Sequence, residues 1–358
     1  MKYEYWLANV QGISGRKKEQ LYTYAGSAEA LYYIEERQLM QWELAEKERK
    51  ILLESAKAWK PEEAFQKLVE KGIACVPIHY AEYPSRLRNI PFPPYALYVK
   101  GKLPAEDIPT IAIVGARECS PYGREMTIRF ANVLAKSGVQ IVSGMARGID
   151  GIAQNAALEA GGVSFAVLAN GADICYPREH IGLYMDLQQE GGIVSEQALG
   201  VQPLPQFFPA RNRIISGLAD VVLVMEAKER SGSLITADMA LEQGKDVYAL
   251  PGAVTSRLSG GCHHLIRQGA GILTSPEELL EELGMSRNEN LKISEENKNL
   301  LESEENLVYS CLDFTPKSIG YILEVTGLTT SKLLQILVSL ELGGYIREIA
   351  KNFYVKVE

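Results

Sequence analysis

The sequence predicts an α/β protein built on a doubly wound, mostly parallel sheet, with a small helical unit before the sheet and a winged helix after it. Three observations carry this. Between Ile111 and about Gly284, short apolar runs alternate with helix-like stretches. Most of those runs are continuous rather than alternating, as parallel strands covered on both faces require. The ends of the intervening helices are also written in capping residues.

Residues 1–72 read as short helices of the SAM or helix-hairpin-helix type, among them Ala28–Arg37 and Pro61–Lys71, the latter stopped by Gly72. Within VQGISGRKKEQLY (Val10–Tyr22), Gly12 and Gly15 make a tight turn before a basic helix start. Such a turn can aim its amides at a DNA phosphate, or simply join two packed helices. The next stretch, YPSRLRNIPFPPYALYVKG (Tyr83–Gly101), holds four prolines. They predict extended chain without a helix, ending in an edge strand at Ala96–Lys100.

The predicted strands of the sheet are Ile111–Val114, Val139–Val142, Val163–Leu168, Ile193–Ser195, Val221–Met225, Val247–Leu250 and Ile272–Leu273. Ser120-Pro121 supplies a cap and a first-turn proline for the helix that Gly138 stops, and Gly161-Gly162 ends the next. Ser275-Pro276-Glu277-Glu278 is a capping box that opens Pro276–Leu283. Residues 73–285 thus form an extended Rossmann-like domain. Residues 286–306 carry six acidic and three basic residues with little apolar content and read as a linker. In residues 307–358, Thr315-Pro316 opens one helix and Thr329–Leu342 forms a second. Tyr345–Ile349 and Phe353–Val357 then pair as strands, the order of a winged helix. Its five basic residues are matched by five acidic ones, so the charge of a DNA reader is missing and a protein-interaction or weakly binding role fits better.

Composition sets further bounds. Hydrophobic residues make up 46% of the 358, ample for packed cores in two or three units. The five cysteines form no CxxC pair, which fits a reducing compartment and offers no disulfide frame or zinc knuckle. No signal peptide is read at the N-terminus and no apolar run approaches the roughly 20 residues of a membrane span, so a cytoplasmic protein is expected. The net charge of −8 argues against a surface coated in nucleic acid, leaving the placement of arginines to decide whether a local basic groove exists.

Ligands of open α/β sheets bind beyond the carboxyl ends of the strands. The segments there are GARECSPYG, SGMARGID (Ser143–Asp150), ANGADICYP (Ala169–Pro177), EAKERSGSLITA (Glu226–Ala237) and PGAVTSRLSGGCHHLIRQGA, with FFPARNRIISGLAD (Phe207–Asp220) leading into the fifth strand. They are rich in glycine, serine and arginine, the residues that bring amides, hydroxyls and guanidinium forks to phosphate oxygens. Arg117, Arg147, Arg211, Arg213 and Arg230 all fall at or near this rim, unless local acids such as Asp150 and Glu226 claim them. A dinucleotide site needs an acid where Ser143-Gly144 stands, and no G-x-x-x-x-G-K-[ST] exists. His79, His180, His263 and His264 join no catalytic or metal motif, Cys119 reads as a packed loop thiol, and no acid–base pair stands out. No cofactor, metal or catalytic residue is expected.

VGARECSPYG, SGMARGIDGIAQNAAL, FFPARNRIISGLAD, EAKERSGSLITA and the LPG of Leu250–Gly252, in that order and at those spacings, resemble the DNA-processing protein A (DprA/Smf) family. YPSRLRNIPFPPYALYVKG fits as the extension before that family's Rossmann domain, so the likeness runs from about Tyr83 to Gly284. The resemblance implies a non-enzymatic cytoplasmic protein that binds incoming single-stranded DNA in natural transformation, protects it, helps load the RecA recombinase and forms a homodimer. Carried over by motif, the DNA site comprises Gly115 and Arg117; Ser143, Gly144 and Arg147; Arg211, Asn212 and Arg213; and Ser231, Gly232 and Ser233. Gly171, Ile174 and Tyr176 of the third loop would lie against bases. The chain departs from the family pattern at Gln154, where histidine is usual, at Ala169, where a further glycine is common, and at His263, where asparagine is usual. The rival is a nucleoside-monophosphate phosphoribohydrolase of the lysine-decarboxylase-like Rossmann family, whose P-G-G-x-G-T-x-x-E signature ends in a catalytic glutamate. The corresponding turn here, SGSLITADMA, has no glutamate at that place. A transcription regulator built on the winged helix is a third reading, weakened by that domain's neutral charge.

Overall fold

The computed structural model describes residues 1–285, 303–313 and 316–357. The chain divides into two compact units, Met1–Asn288 and Glu289–Glu358.

The first unit is organised by a nine-stranded sheet: β1 Ile73–Pro77, β2 Ala96–Gly101, β3 Thr110–Val114, β4 Gln140–Ser143, β5 Ser164–Leu168, β6 Gly191–Ser195, β7 Val221–Val224, β8 Asp246–Ala249 and β9 Gly271–Ile272. Their order is β1-β2-β6-β5-β4-β3-β7-β8-β9. Neighbours from β6 to β9 pair in parallel, while β1 and β2 are antiparallel additions. The chain winds outward one way from β3 through β6 and the other way from β7, which puts the topological switch point between β3 and β7. All seven predicted strands of the parallel sheet are present, with ends shifted by one or two residues.

Alternate residues of β3 serve the two faces. Ile111 and Ile113 join Phe130, Leu134, Ile149, Ala153 and Leu279 on one side. Ala112 and Val114 join Ile214, Ile215 and Leu218 on the other. That second core continues without a break into the N-terminal helices through Trp6, Leu7, Leu21, Leu31 and Leu97. β6 is pinched between neighbours: a side chain at Gly191 would strike the Ser164 carbonyl, and one at Gly192 that of Lys102. Only glycine fits there.

Three sequence expectations need correction. Ala96–Gly101 is an inner strand; the edge is β1, which ends on Pro77, where a missing donor costs no ladder bond. The prolines of 83–101 do not exclude a helix, because Pro84 immediately precedes the turn Ser85–Arg88 and leaves its bonding intact. Ala28–Arg37 is two helices, Ala28–Tyr32 and Glu36–Leu39, with Glu35 and Gln38 forming a capping box that starts the second.

The glycine turn joins helices Lys2–Asn9 and Gly15–Ala25, with Gly12 at φ +81° and Ser14 capping the second. Its basic residues are largely spent internally. Lys17 donates to the Glu43 carbonyl, and Lys18 is buried, donating to Ala8 O at 2.7 Å. Burial pushes the Lys18 ammonium down to about 8. The folded protein therefore holds fewer protons here than the unfolded chain between that value and the ordinary lysine range, and stability rises with pH across the window. Lys18→Met should be relieved of this penalty, on the order of 3 kcal/mol below pH 8. Urea titrations from pH 7 to 9.5 should show wild type gaining on the variant as pH rises; a constant difference contradicts the burial argument.

The second unit carries helices Ser303–Ser310, Ile319–Thr326 and Thr330–Leu342 and a three-stranded sheet of β10 Lys317–Ser318, β11 Ile346–Ala350 and β12 Phe353–Lys356, in the order β10-β12-β11. Val308, Ile322, Leu333, Leu337, Ile346 and Tyr354 form its core. This is the expected winged helix. Ser318 caps the first of its last two helices, accepting from Tyr321 N. Thr315, read as opening that helix, lies outside the described residues, as do 286–302 of the expected linker. Residues 303–306, also assigned to the linker, belong to a helix. Among the described residues, no helix is long and apolar enough to cross a membrane.

Candidate nucleic-acid interface

The loops at the carboxyl edge meet at close range. Gly148, at φ +71°, lies where any side chain would strike the carbonyls of Ala116 and Arg117, so the tips of the first and second loops touch. Ile149 N bonds Ala116 O at 3.1 Å and fixes the contact. At the β3–β7 switch point a nucleotide phosphate would ordinarily sit on the N-terminus of the helix after β3, here Pro121–Lys136. That place is taken. The buried carboxylate of Glu226, just past β7, accepts from Ser120 N at 2.8 Å and from Ser120 Oγ at 2.6 Å. It lies against Gly123 so closely that a Cβ there would collide with it. The helix is capped by the protein's own anion.

The open surface lies beside this crevice, toward β4 and β5. A cleft there is lined by Arg117, Gly144, Arg147, Asn170, Tyr176, Phe208 and Arg211, among others. Phe208 is its centre. The Arg117 guanidinium stands 5.4 Å from the ring centroid and that of Arg211 6.0 Å, while the Tyr176 ring lies 5.9 Å away at 59°. Asn170 holds the third loop by donating to Ile174 O at 2.7 Å and Gly171 O at 3.1 Å, and the Tyr176–Pro177 bond is cis. Arg117 and Tyr176 are exposed at the rim. Arg147 is exposed as well, forked onto Glu179 at 2.5 and 2.7 Å. An exposed pair of this kind is worth little and exchanges readily for a phosphate.

Other predicted residues act from below. Arg211 is buried and donates to Gly144 O at 2.9 Å and to Val167 O. Burial lowers its pKa to about 10 against the attraction of Asp150. Burial likewise holds the Asp150 carboxyl above its usual range, opposed by Arg211 and by the Gly144 amide at 3.1 Å. Arg213 is fully engaged, with Glu196 at 2.7 and 2.8 Å, Phe92 O at 2.9 Å and Ala210 O at 2.6 Å. Ser143 turns its hydroxyl onto Ile113 O at 2.6 Å, and Gly115 is wedged against Ile149 and the Glu226 carbonyl. Gly171 is buried and Ile174 half-buried beneath the third loop. Ser231 caps helix Gly232–Glu242, its hydroxyl 2.8 Å from that of Ser233, and Asn212 ties this turn down by donating to Gly232 O at 3.3 Å.

Of the residues carried over by motif, Arg117, Gly144, Arg147, Tyr176 and Arg211 therefore share one cleft. Sequence reasoning missed Phe208 and Asn170, and weighed Glu226 only as a partner for a rim arginine, where it instead binds Ser120. The signal for Phe208 was present in FFPARNR, where the arginines drew attention from the ring beside them. The arginines should separate by stability. Arg211→Ala strands the buried Asp150 and should cost about 3 kcal/mol in denaturant unfolding, whereas Arg117→Ala should leave stability within about 0.5 kcal/mol.

Residues 74–284 match the family model for DNA recombination-mediator protein A, and residues 294–350 that of the DprA winged helix domain. Protein Smf of Escherichia coli is 50% identical over 209 residues, which span 58% of this chain and 56% of the E. coli protein's length. DNA processing protein DprA of Streptococcus pneumoniae is 45% identical over 200 residues, 56% of this chain and 71% of that protein. Among solved structures, DprA from S. pneumoniae superposes with a TM-score of 0.69 at 34% identity, covering 79% of this chain and 98% of that one. DNA processing protein A from Helicobacter pylori, whose structure concerns its single-stranded DNA binding mode, gives 0.55 at 30% identity, covering 60% and 97%. With a family model matched along most of its length, the chain belongs to the DNA recombination-mediator protein A family.

Proposed function

We propose that the chain binds single-stranded DNA across the carboxyl edge of its sheet, protects the strand in the cytoplasm during transformation or recombination and, as a homodimer, presents it to RecA. The observation that carries the binding step is the Phe208 cleft, where two exposed arginines stand beside two aromatic rings. Phosphates fall to Arg117 and to Arg147 once it releases Glu179. Bases stack on Tyr176 and Phe208, which offer faces that any base can use and so read no sequence. The single-stranded DNA binding mode of the H. pylori relative supports the same ligand here. The protective and RecA-loading roles rest on the family resemblance.

Hydrolysis of a nucleoside monophosphate fits less well. Its mechanism needs a carboxylate at the sugar, and the residues lining the cleft include none. The Ser231-Gly232-Ser233 turn, where the hydrolase signature would lie, is followed by Leu-Ile-Thr-Ala rather than by a glutamate at the required place.

Fluorescence anisotropy with labelled oligo-dT at graded salt tests the reading. Single strands should bind better than duplex, with a log–log salt slope of about −2 to −4. Arg117→Ala should weaken binding and flatten the slope by about 0.7, the increment for one phosphate. Phe208→Ala should cost about 1–3 kcal/mol of affinity through lost stacking and leave the slope unchanged. No binding of wild type at low salt, with turnover of AMP, would favour the hydrolase instead.

A further inference from the structure

A second concavity adjoins the cleft and shares Arg117 with it. This cavity, about 420 Å³, runs between the helix Pro121–Lys136 and the helix Ile149–Glu159, on the other face of the sheet from Phe208. Its size falls in the range of small-molecule sites. Arg117 thus stands on the saddle between two depressions, one on each face.

The lining has a direction. Both helices start at the carboxyl edge, so Arg124 in the first turn of one and Ile152 in the first turn of the other lie near the mouth with Arg117. Arg124 is exposed and, among the described residues, makes no ion pair or side-chain hydrogen bond, leaving a second fork beside the one proposed to hold phosphate. Deeper, Ile128 and Ala156 supply apolar wall, and the exposed amide of Asn155 offers a donor and an acceptor side by side. Glu159 stands two helical turns further from the edge than Ile152, about 10 Å. At the mouth Arg117 and Arg124 outnumber the carboxylate of Glu118, and Glu159 makes the far end negative, which opposes a run of phosphates along the groove. This arrangement suits a nucleotide whose phosphate stays at the rim while its uncharged base points inward.

We infer that this inter-helix cavity is a second nucleotide subsite for the same single strand, with Arg124 holding the phosphate beyond Arg117 and Asn155 bonding the edge of the inserted base. The assignment rests on the single-strand reading above and adds a path to it: the strand crosses the sheet edge at Arg117, one base stacked on the Phe208 side and the next lodged between the helices. An asparagine amide bonds an exposed base edge without needing a duplex groove, which matches a single-stranded ligand.

Cys119 lines the cavity and is half-buried, as Cys175 and Cys311 are elsewhere, so its alkylation, told apart from theirs by peptide mass mapping, reports occupancy. The test uses oligo-dT of graded length with wild type, Arg117→Ala and the double variant Arg124→Ala/Asn155→Ala, whose positions are exposed and outside both cores. The double variant should bind the shortest competent strands as wild type does, and lose at least about fivefold in affinity for strands long enough to span both depressions, the worth of one held base. Long strands should protect Cys119 from maleimide, measured by peptide mass mapping, and the shortest should not. If Arg117→Ala weakens binding while the double variant matches wild type at every length and Cys119 stays reactive, the second subsite is overturned and the single-strand reading stands. If wild type binds no strand, both fall together.

Discussion

Glu226 accepts from the backbone and hydroxyl of Ser120 across the β3–β7 switch point, and the rest of the site follows from that contact. A doubly wound sheet offers one favoured anion position, the helix start after its first strand, where amides and the helix dipole both invite negative charge. In this chain the invitation is answered from within. A carboxylate bound there costs no association entropy and is present at all times, so a free nucleotide has nothing to displace it with. The same contact ties the loop after β3 to the loop after β7 and makes the edge stiff. Binding capacity is pushed sideways, to the ground between the ends of β3, β4 and β5.

There the protein repeats the device with arginines. Arg211 is held by the Gly144 and Val167 carbonyls and faces Asp150, and Arg213 is held by Glu196 and Phe92. Each is a buried or half-buried charge with its donors engaged, so neither can leave for a phosphate without exposing its partner to the full cost of burial. Their contribution is to fix the helix Phe207–Leu218 over the sheet, and with it the angle at which Phe208 faces the cleft. Arg117, whose guanidinium stands beside the Phe208 ring, and Arg147, paired with an exposed glutamate, carry no such cost and can turn to a phosphate. Buried support below and exposed charge above is a division of labour within one motif set.

That division explains what was legible in the sequence. The parallel strands were, because continuous runs such as Val221–Val224 and Ser164–Leu168 bury both faces and leave no polar alternation to confuse them. The edge strand Ile73–Pro77 was not, being five residues long and ending in a proline that the interior of a sheet would refuse. Motif residues pointed to the correct edge, yet a motif records that a residue is needed and not which way its side chain turns. Ser143 and Arg213 are needed for the fold of the edge; Arg117 and Tyr176 are exposed on it. Glu226 could not be read as a cap from its place in the sequence, because its partner Ser120 lies more than a hundred residues away and joins it only through the pairing of β3 with β7.

The net charge of −8 then ceases to conflict with a DNA ligand. A duplex presents dense phosphate on its outside and keeps its bases stacked within, so an acidic protein repels it and the aromatic rings of the cleft have nothing to touch. A single strand offers the same phosphates at wider spacing together with unstacked bases. On the proposed reading, Phe208 and Tyr176 would meet the part of the ligand that carries no charge, and Arg117 and Arg147 would need only to neutralise the phosphates on either side of it. On that reading, a preference for single strands over duplex would follow from placing few cations beside aromatic rings on a protein of net negative charge. A uniformly basic groove would hold both forms.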